Sequence, residues 1–175
     1  EPNETPSKGR ANVCHFGKRG PSRRAPQELD RASSREPGYR VPRIVADLVA
    51  ARPIDLAVID GIETVAGGEG PWIEGLRLVQ PGVLIAGANP VTTDTVATAV
   101  MGYDPTAGRG TPPFRRCDNT LKLAEGLGIG TTDLNRIEVR IKTPFGEILV
   151  EGENPAEVLR TLEALPDGFV EKIAD

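Results

Sequence analysis

Ile-Asp-Leu-Ala-Val-Ile-Asp-Gly occupies residues 54–61, and Val-Leu-Ile-Ala-Gly-Ala-Asn-Pro-Val-Thr-Thr-Asp occupies residues 83–94. Each stretch contains a short apolar run bounded by turn residues, which is typical of a buried strand. The second run leads into Asn89 and Pro90, which suit the cap and the first position of a helix. The sequence therefore predicts an α/β fold with a mainly parallel central sheet and flanking helices.

The surrounding sequence supplies the flanking elements. Apolar side chains recur at helical spacing from Val41, from Asn119 and from Asn154, and each stretch predicts a helix with one face on the core. The helix that begins at Asn154 would present Val158, Leu159, Leu162 and Leu165. Residues 137–150 alternate apolar and polar side chains around a Pro-Phe-Gly turn, which predicts an antiparallel hairpin at the edge of the sheet.

The first 40 residues differ in composition from residues 41–175. They hold five prolines, several glycines and almost no apolar periodicity, which predicts a flexible basic arm followed by an α/β domain. Residues 1–43 carry 10 basic and 5 acidic side chains, whereas the remainder carries 11 and 20. Such an arm can dock on an acidic partner, on its own domain or on a second copy.

Composition excludes several classes of function. Aromatic residues make up 4% of the chain, which argues against base-stacking contacts with nucleic acid. No apolar run approaches the roughly 20 residues that span a bilayer, and no export signal is visible, so we expect a cytoplasmic protein without a membrane span. Cys14 and Cys117 are too few to hold an iron–sulfur cluster alone, and Cys14 with His15 forms at most half a zinc site.

Polar residues follow both predicted strands, at the edge where open α/β sheets bind ligands. Four carboxylates there suit a divalent metal such as Mg²⁺ or Ca²⁺, and two of them, Asp60 and Asp94, are the candidate catalytic residues. The metal-ligand set is Asp60, Glu63, Glu69 and Asp94. The ligand-binding set combines a glycine loop with a helix N-terminus that can receive an anion, and comprises Gly68, Glu69, Gly70, Asn89, Thr92 and Thr93.

A purely structural interpretation of these residues stays open. Asp60 would then cap a turn, Glu63 and Glu69 would be solvated, and Asp94 would favour the helix dipole. Likewise, the stretch from Asn89 to Thr93 would serve only as a helix cap.

The stretches at residues 55–62, 68–71 and 82–105, followed by Leu-Ala-Glu-Gly-Leu-Gly-Ile-Gly at residues 123–130, resemble the domain of unknown function 362 family. Members often carry a longer N-terminal half, and residues 12–17 look like a divergent form of its last motif. The resemblance therefore implies the C-terminal portion of a larger domain. Some members look like iron–sulfur proteins because a ferredoxin-type cysteine module is fused to them, but this chain has no such cysteine spacing.

The sequence supports two functional hypotheses and leaves open whether the chain is an enzyme. The first is a metal-assisted or redox-associated protein that binds a small anionic ligand at the carboxyl ends of the central strands. The second is a noncatalytic interaction module that uses the basic arm, with another protein or the N-terminal half of the larger domain as its partner.

Overall fold

The computed structural model describes residues 34, 36–68, 72–143 and 146–150. Three α-helices, six strands and a short 3₁₀ helix make up this part of the chain. In order they are α1 (Pro37–Ala51), β1 (Ala57–Gly61), β2 (Thr64–Ala66), β3 (Arg77–Val79), β4 (Val83–Gly87), α2 (Pro90–Val100), α3 (Thr120–Gly126), the 3₁₀ helix (Leu134–Arg136), β5 (Val139–Thr143) and β6 (Gly146–Val150).

The predicted mixture of helices and strands is confirmed, but the predicted parallel central sheet is wrong for the described residues. The strands form three antiparallel pairs, β1 with β4, β2 with β3 and β5 with β6. Parallel neighbours need a long crossover, usually a helix, whereas the chain between β1 and β4 folds into the β2–β3 hairpin and returns. The antiparallel hairpin predicted at residues 137–150 is present as β5–β6, but it forms a separate two-stranded sheet and not the edge of a larger one.

Helix α2 forms the centre of the core. Seven of its eleven residues are buried, because α1 and α3 pack on one side of it and β4 and the 3₁₀ helix on the other. Its buried threonines satisfy their hydroxyls locally: Thr95 and Thr98 each donate to the carbonyl four residues earlier, at 2.8 and 2.7 Å. This bonding allows polar residues to occupy a buried helix without unpaired donors.

Two helices begin where the sequence predicts and one does not. The Asn89 side chain accepts from Thr92 N, and that of Asn119 accepts from Leu121 N and Lys122 N, so both residues are N-caps. Helix α1 begins at Pro37 rather than at Val41, with Glu36 as its cap. The division into arm and domain stays a prediction, since residues 1–33 lie outside the described residues, as does the helix predicted from Asn154.

Candidate functional site

The larger of two cavities lies between β4, the start of α2 and residues 136–140, and is called here the β4 cavity. Its volume is about 880 Å³, within the range of pockets that enclose small ligands. The walls are mostly apolar and include Ile85, Val96 and Ile137. Every residue of β4 borders it, so the cavity runs along the whole strand.

Three of the predicted ligand-binding residues border the β4 cavity. Asn89, Thr92 and Thr93 lie there together, at the N-terminus of α2. The Asn89 carbonyl accepts from Thr93 Oγ1 at 2.7 Å, and its Oδ1 accepts from Thr92 N and Thr92 Oγ1 at 3.0 and 3.1 Å. The side chains thus serve the helix cap, and an anion would be attracted chiefly by the positive end of the helix dipole.

Charged side chains border the opposite side of the β4 cavity. Arg136 and Arg140 lie there with Glu138, whose Oε1 accepts from Arg140 Nε at 2.6 Å. All three are exposed, so their charges are largely solvated. The two arginines outnumber the carboxylate, which leaves this side of the cavity positive.

The second cavity, called here the Asp94 cavity, has a volume of about 490 Å³ and lies across α2 from the first. Asp94 and Asp60 both border it, and most of its other walls are apolar, including Ile59, Ala97 and Phe114. Asp94 keeps contact with solvent, yet the surrounding apolar walls remove enough water that burial raises the pKa of its carboxyl group. A carboxyl group held closer to neutrality is suited to proton transfer.

The other predicted acidic residues are engaged in local contacts. The Asp60 carboxylate accepts from Ile62 N at 3.0 Å, as the turn-capping interpretation requires. Glu63 accepts from Gln80 Nε2 at 2.8 Å. Within the described ranges, no group of three or more His, Cys, Asp or Glu side chains lies close enough to hold a metal ion.

Strand direction explains why the predicted site is divided. In the antiparallel ribbon Asp60 is opposite Leu84, whereas Asn89 lies beyond the other end of β4, where Gly87 pairs with Ala57. The structure therefore does not bring Asp60 to the N-terminus of α2. Gly68 borders neither cavity, and Glu69 and Gly70 lie outside the described residues.

A family model described as domain of unknown function (DUF362) matches residues 6–99, more than half of the chain. The chain belongs to the DUF362 family. No curated protein and no solved structure matches it. The DUF362 match begins within the basic N-terminal segment and ends inside α2, so it includes β1 and β4 but only part of each cavity border; Arg136 and Arg140 lie beyond it. In the part of the DUF362 chain that the model describes, no helix is long and apolar enough to cross a membrane.

Sequence reasoning missed a polar network that joins the start of α1 to the segment before α3. Arg43 pairs with Asp118 at 2.6 Å and lies 3.5 Å from the centre of the Tyr39 ring, and Arg109 pairs with Glu36 at 2.7 Å. Cys117 lies beside this network, and burial raises the pKa of its thiol. No spacing motif in the sequence links these residues, because the paired side chains are about 70 positions apart. Arg109, Cys117 and Asp118 also lie beyond the residues that the DUF362 model matches.

Proposed function

We propose that this domain binds a small anionic ligand with an apolar body in the β4 cavity. The observation that carries the proposal is the combination, around one apolar cavity, of a helix N-terminus and two arginines. The apolar walls would bury the body of the ligand, while Arg136, Arg140 and the dipole of α2 would favour its negative charge.

The distribution of polar groups supports a ligand charge at the rim rather than deep in the cavity. Among the described residues, no buried side-chain nitrogen or oxygen lacks a hydrogen-bond partner. The deep walls therefore offer no unpaired side-chain group to a polar ligand, whereas the exposed guanidinium of Arg136 at the rim can pair with a carboxylate, sulfonate or phosphate.

The fluorescent sulfonate 8-anilinonaphthalene-1-sulfonate has the required apolar body and negative charge, and serves as the probe. Arg136→Gln should weaken its binding about fivefold, because it removes one favourable charge at a solvated rim. Arg52→Gln is the matched control, since Arg52 is an exposed arginine at the end of α1 that borders neither cavity. Fluorescence titration at low salt measures both affinities.

Two outcomes would contradict the proposal. Equal affinities in Arg136→Gln and Arg52→Gln would show that charge at the rim plays no part. Loss of binding in Val58→Asp with full binding in Arg136→Gln would place the probe on the exposed face of β1 instead.

As a second function we propose an enzymatic role in which the carboxyl group of Asp94 transfers a proton. Asp94→Asn should leave the free energy of unfolding at pH 7 unchanged or slightly raised, since burial disfavours the charged carboxylate there.

In the metal-assisted form of the proposal, Asp94 acts with Asp60, Glu63 and Glu69. Elemental analysis of purified protein tests it: near-stoichiometric metal that is lost in Asp94→Asn supports this form, and protein free of metal rejects it.

The interaction-module alternative depends on the basic N-terminal segment. Substituting both Arg23 and Arg24 by Glu reverses local charge without touching either cavity border. If this variant loses a protein partner but binds the sulfonate probe normally, the segment is an interaction element. If partner binding is unaffected, the alternative is rejected.

A further inference from the structure

The β1–β4 ribbon has one covered and one uncovered face. Ile59 and Ile85 face α2 and the cavities beside it, whereas the alternate positions of both strands face away. On that outer face Val58 is 61% and Leu84 63% exposed, Leu56, two residues before Val58, is 65% exposed, and the exposed Asp60 lies opposite Leu84 at one end. We define Leu56, Val58, Leu84 and Ala86, the register partner of Val58, as the outer patch.

Such a patch needs a covering element. A two-stranded ribbon is marginally stable in water, and the solvated face of an antiparallel sheet usually carries polar side chains, whereas most of this face is aliphatic. Nothing among the described residues covers the outer patch, whose aliphatic side chains remain among the most exposed of the domain.

The chain leaves its last described strand close to this ribbon. Val150, the final residue of β6, is the register partner of Val139. Val139 and Ile85 of β4 both pack against the cluster of Val96, Ala99 and Leu134. The four residue-to-residue steps from Val150 to Asn154 can extend about 14 Å, roughly three times the spacing between neighbouring strands, which is enough to pass the edge of β4.

The sequence that follows has the pattern of a covering helix. Residues 154–165, outside the described residues, begin with Asn-Pro and place Val158, Leu159, Leu162 and Leu165 at helical spacing. A helix of this length is about 18 Å long, which matches the roughly 17 Å of a five-residue strand. Its apolar stripe, from Val158 to Leu165, is about 12 Å long and would cover most of the outer patch.

We propose that residues 154–165 dock as a helix on the outer patch and complete a helix–sheet–helix arrangement with α2. The surface is thus an intramolecular docking site of this chain. Leu84 and Ala86 of the patch also border the β4 cavity, so the tests use Val58, which borders neither cavity.

Cross-linking in the full chain tests the docking. In a Cys14→Ser, Cys117→Ser background, Val58→Cys combined with Leu162→Cys should form an intramolecular cross-link with a short bismaleimide. Arg160→Cys replaces Leu162→Cys in the matched control, because position 160 lies about 200° around a helix from position 162. Mass spectrometry of the digested monomer identifies the linked peptides.

Each outcome of the cross-linking experiment either supports or overturns the proposed docking. A link for Leu162→Cys that is at least about tenfold more abundant than for Arg160→Cys supports docking through the apolar stripe. Equal links, no link, or links only between two chains overturn the proposal, and the last result would assign the patch to a second copy.

Thiol reactivity provides a second measurement that needs only one engineered cysteine. In the same background, Val58→Cys should react with a maleimide about tenfold more slowly than Leu78→Cys, whose position on β3 is 82% exposed. Adding Leu162→Asp should abolish the difference. Equal rates for Val58→Cys and Leu78→Cys before that addition would overturn the proposal even if a variant in the cross-linking series fails to fold.

Discussion

Glu125 ties the end of α3 to the segment that precedes the 3₁₀ helix. Its carboxylate accepts from Thr132 Oγ1 at 2.6 Å, from Thr131 Oγ1 at 2.8 Å and from Thr132 N at 3.0 Å. These hydrogen bonds, with the Thr132 hydroxyl contributing most, hold the pKa of Glu125 below its ordinary value. The fold should therefore be sensitive to protonation of this one side chain.

The sign of that sensitivity follows from linkage. A carboxylate with a lowered pKa in the folded state stabilises the fold above its unfolded pKa, about 4.3 for Glu, and loses this contribution as the pH falls through the folded value. We expect the wild-type chain to be more stable than Glu125→Gln at pH 7, with the difference shrinking below about pH 4. Urea unfolding from pH 3 to pH 7 measures it, and a difference that is constant with pH would contradict the assignment.

Single residues were predictable from sequence where their role is local. Asn89 and Asn119 precede apolar helical patterns, and both are caps, because a cap depends only on its next three residues. Asn119 has a second role that no local pattern contains: its buried Nδ2 donates to Pro105 O and Ala107 O, at 2.8 and 2.9 Å. That role depends on how the preceding loop returns to the helix.

At the scale of elements, β4 was predicted with its correct bounds, yet its direction relative to β1 was not. Short apolar runs resemble strands of a parallel sheet, but burial in β1 and β4 alternates, as in a ribbon with one exposed face. The direction of β4 relative to β1 depends on the chain that connects them. The β2–β3 hairpin in that connection, within residues 62–82, has too weak an apolar pattern to be predicted from the sequence. Because of this direction, Asp60 and Asn89 border different cavities.

The junction between α2 and the turn after α3 offers an element-scale prediction. Gly128 and Gly130 both have positive φ, +80° and +66°, but a Cβ on Gly128 would meet open space, whereas one on Gly130 would overlap Asn89 Oδ1 and lie 2.9 Å from Val91 Cβ. Gly128→Ala should cost about 1 kcal/mol through backbone strain alone. Gly130→Ala should cost about 2–4 kcal/mol, because overpacking adds to that strain.

Urea denaturation of the two alanine variants measures both costs. Circular dichroism before unfolding checks that each variant retains its helices. Equal costs at the two positions would show that the turn moves away from the cap of α2 without resistance.

At the scale of the whole molecule, the polar network around Arg43 holds α1 against the rest of the domain. The backbone of Gly38 also accepts from Asp118 N at 2.8 Å, so the same junction contains a half-buried main-chain hydrogen bond. Arg43→Met should lower the free energy of unfolding by about 1–2 kcal/mol, since it removes a half-buried ion pair and the contact with Tyr39. Arg109→Met should have little measurable effect, because its pair with Glu36 is exposed.

Thermal and urea unfolding at low and high salt compare these two variants. The expected pattern is a loss in Arg43→Met that persists at high salt, since partly buried pairs are screened less than exposed ones. A larger loss in Arg109→Met would mean that the outer pair, rather than the inner one, anchors α1.

The register of the β1–β4 ribbon also determines how the domain would yield to mechanical force. Ala57, where the chain enters β1, is the partner of Gly87, where it leaves β4, so both attachment points lie at the same end of the ribbon. Tension on the chain from both sides would therefore peel the ribbon apart one residue pair at a time instead of shearing all five pairs together. A pulling machine such as an unfoldase would therefore meet little resistance at this ribbon.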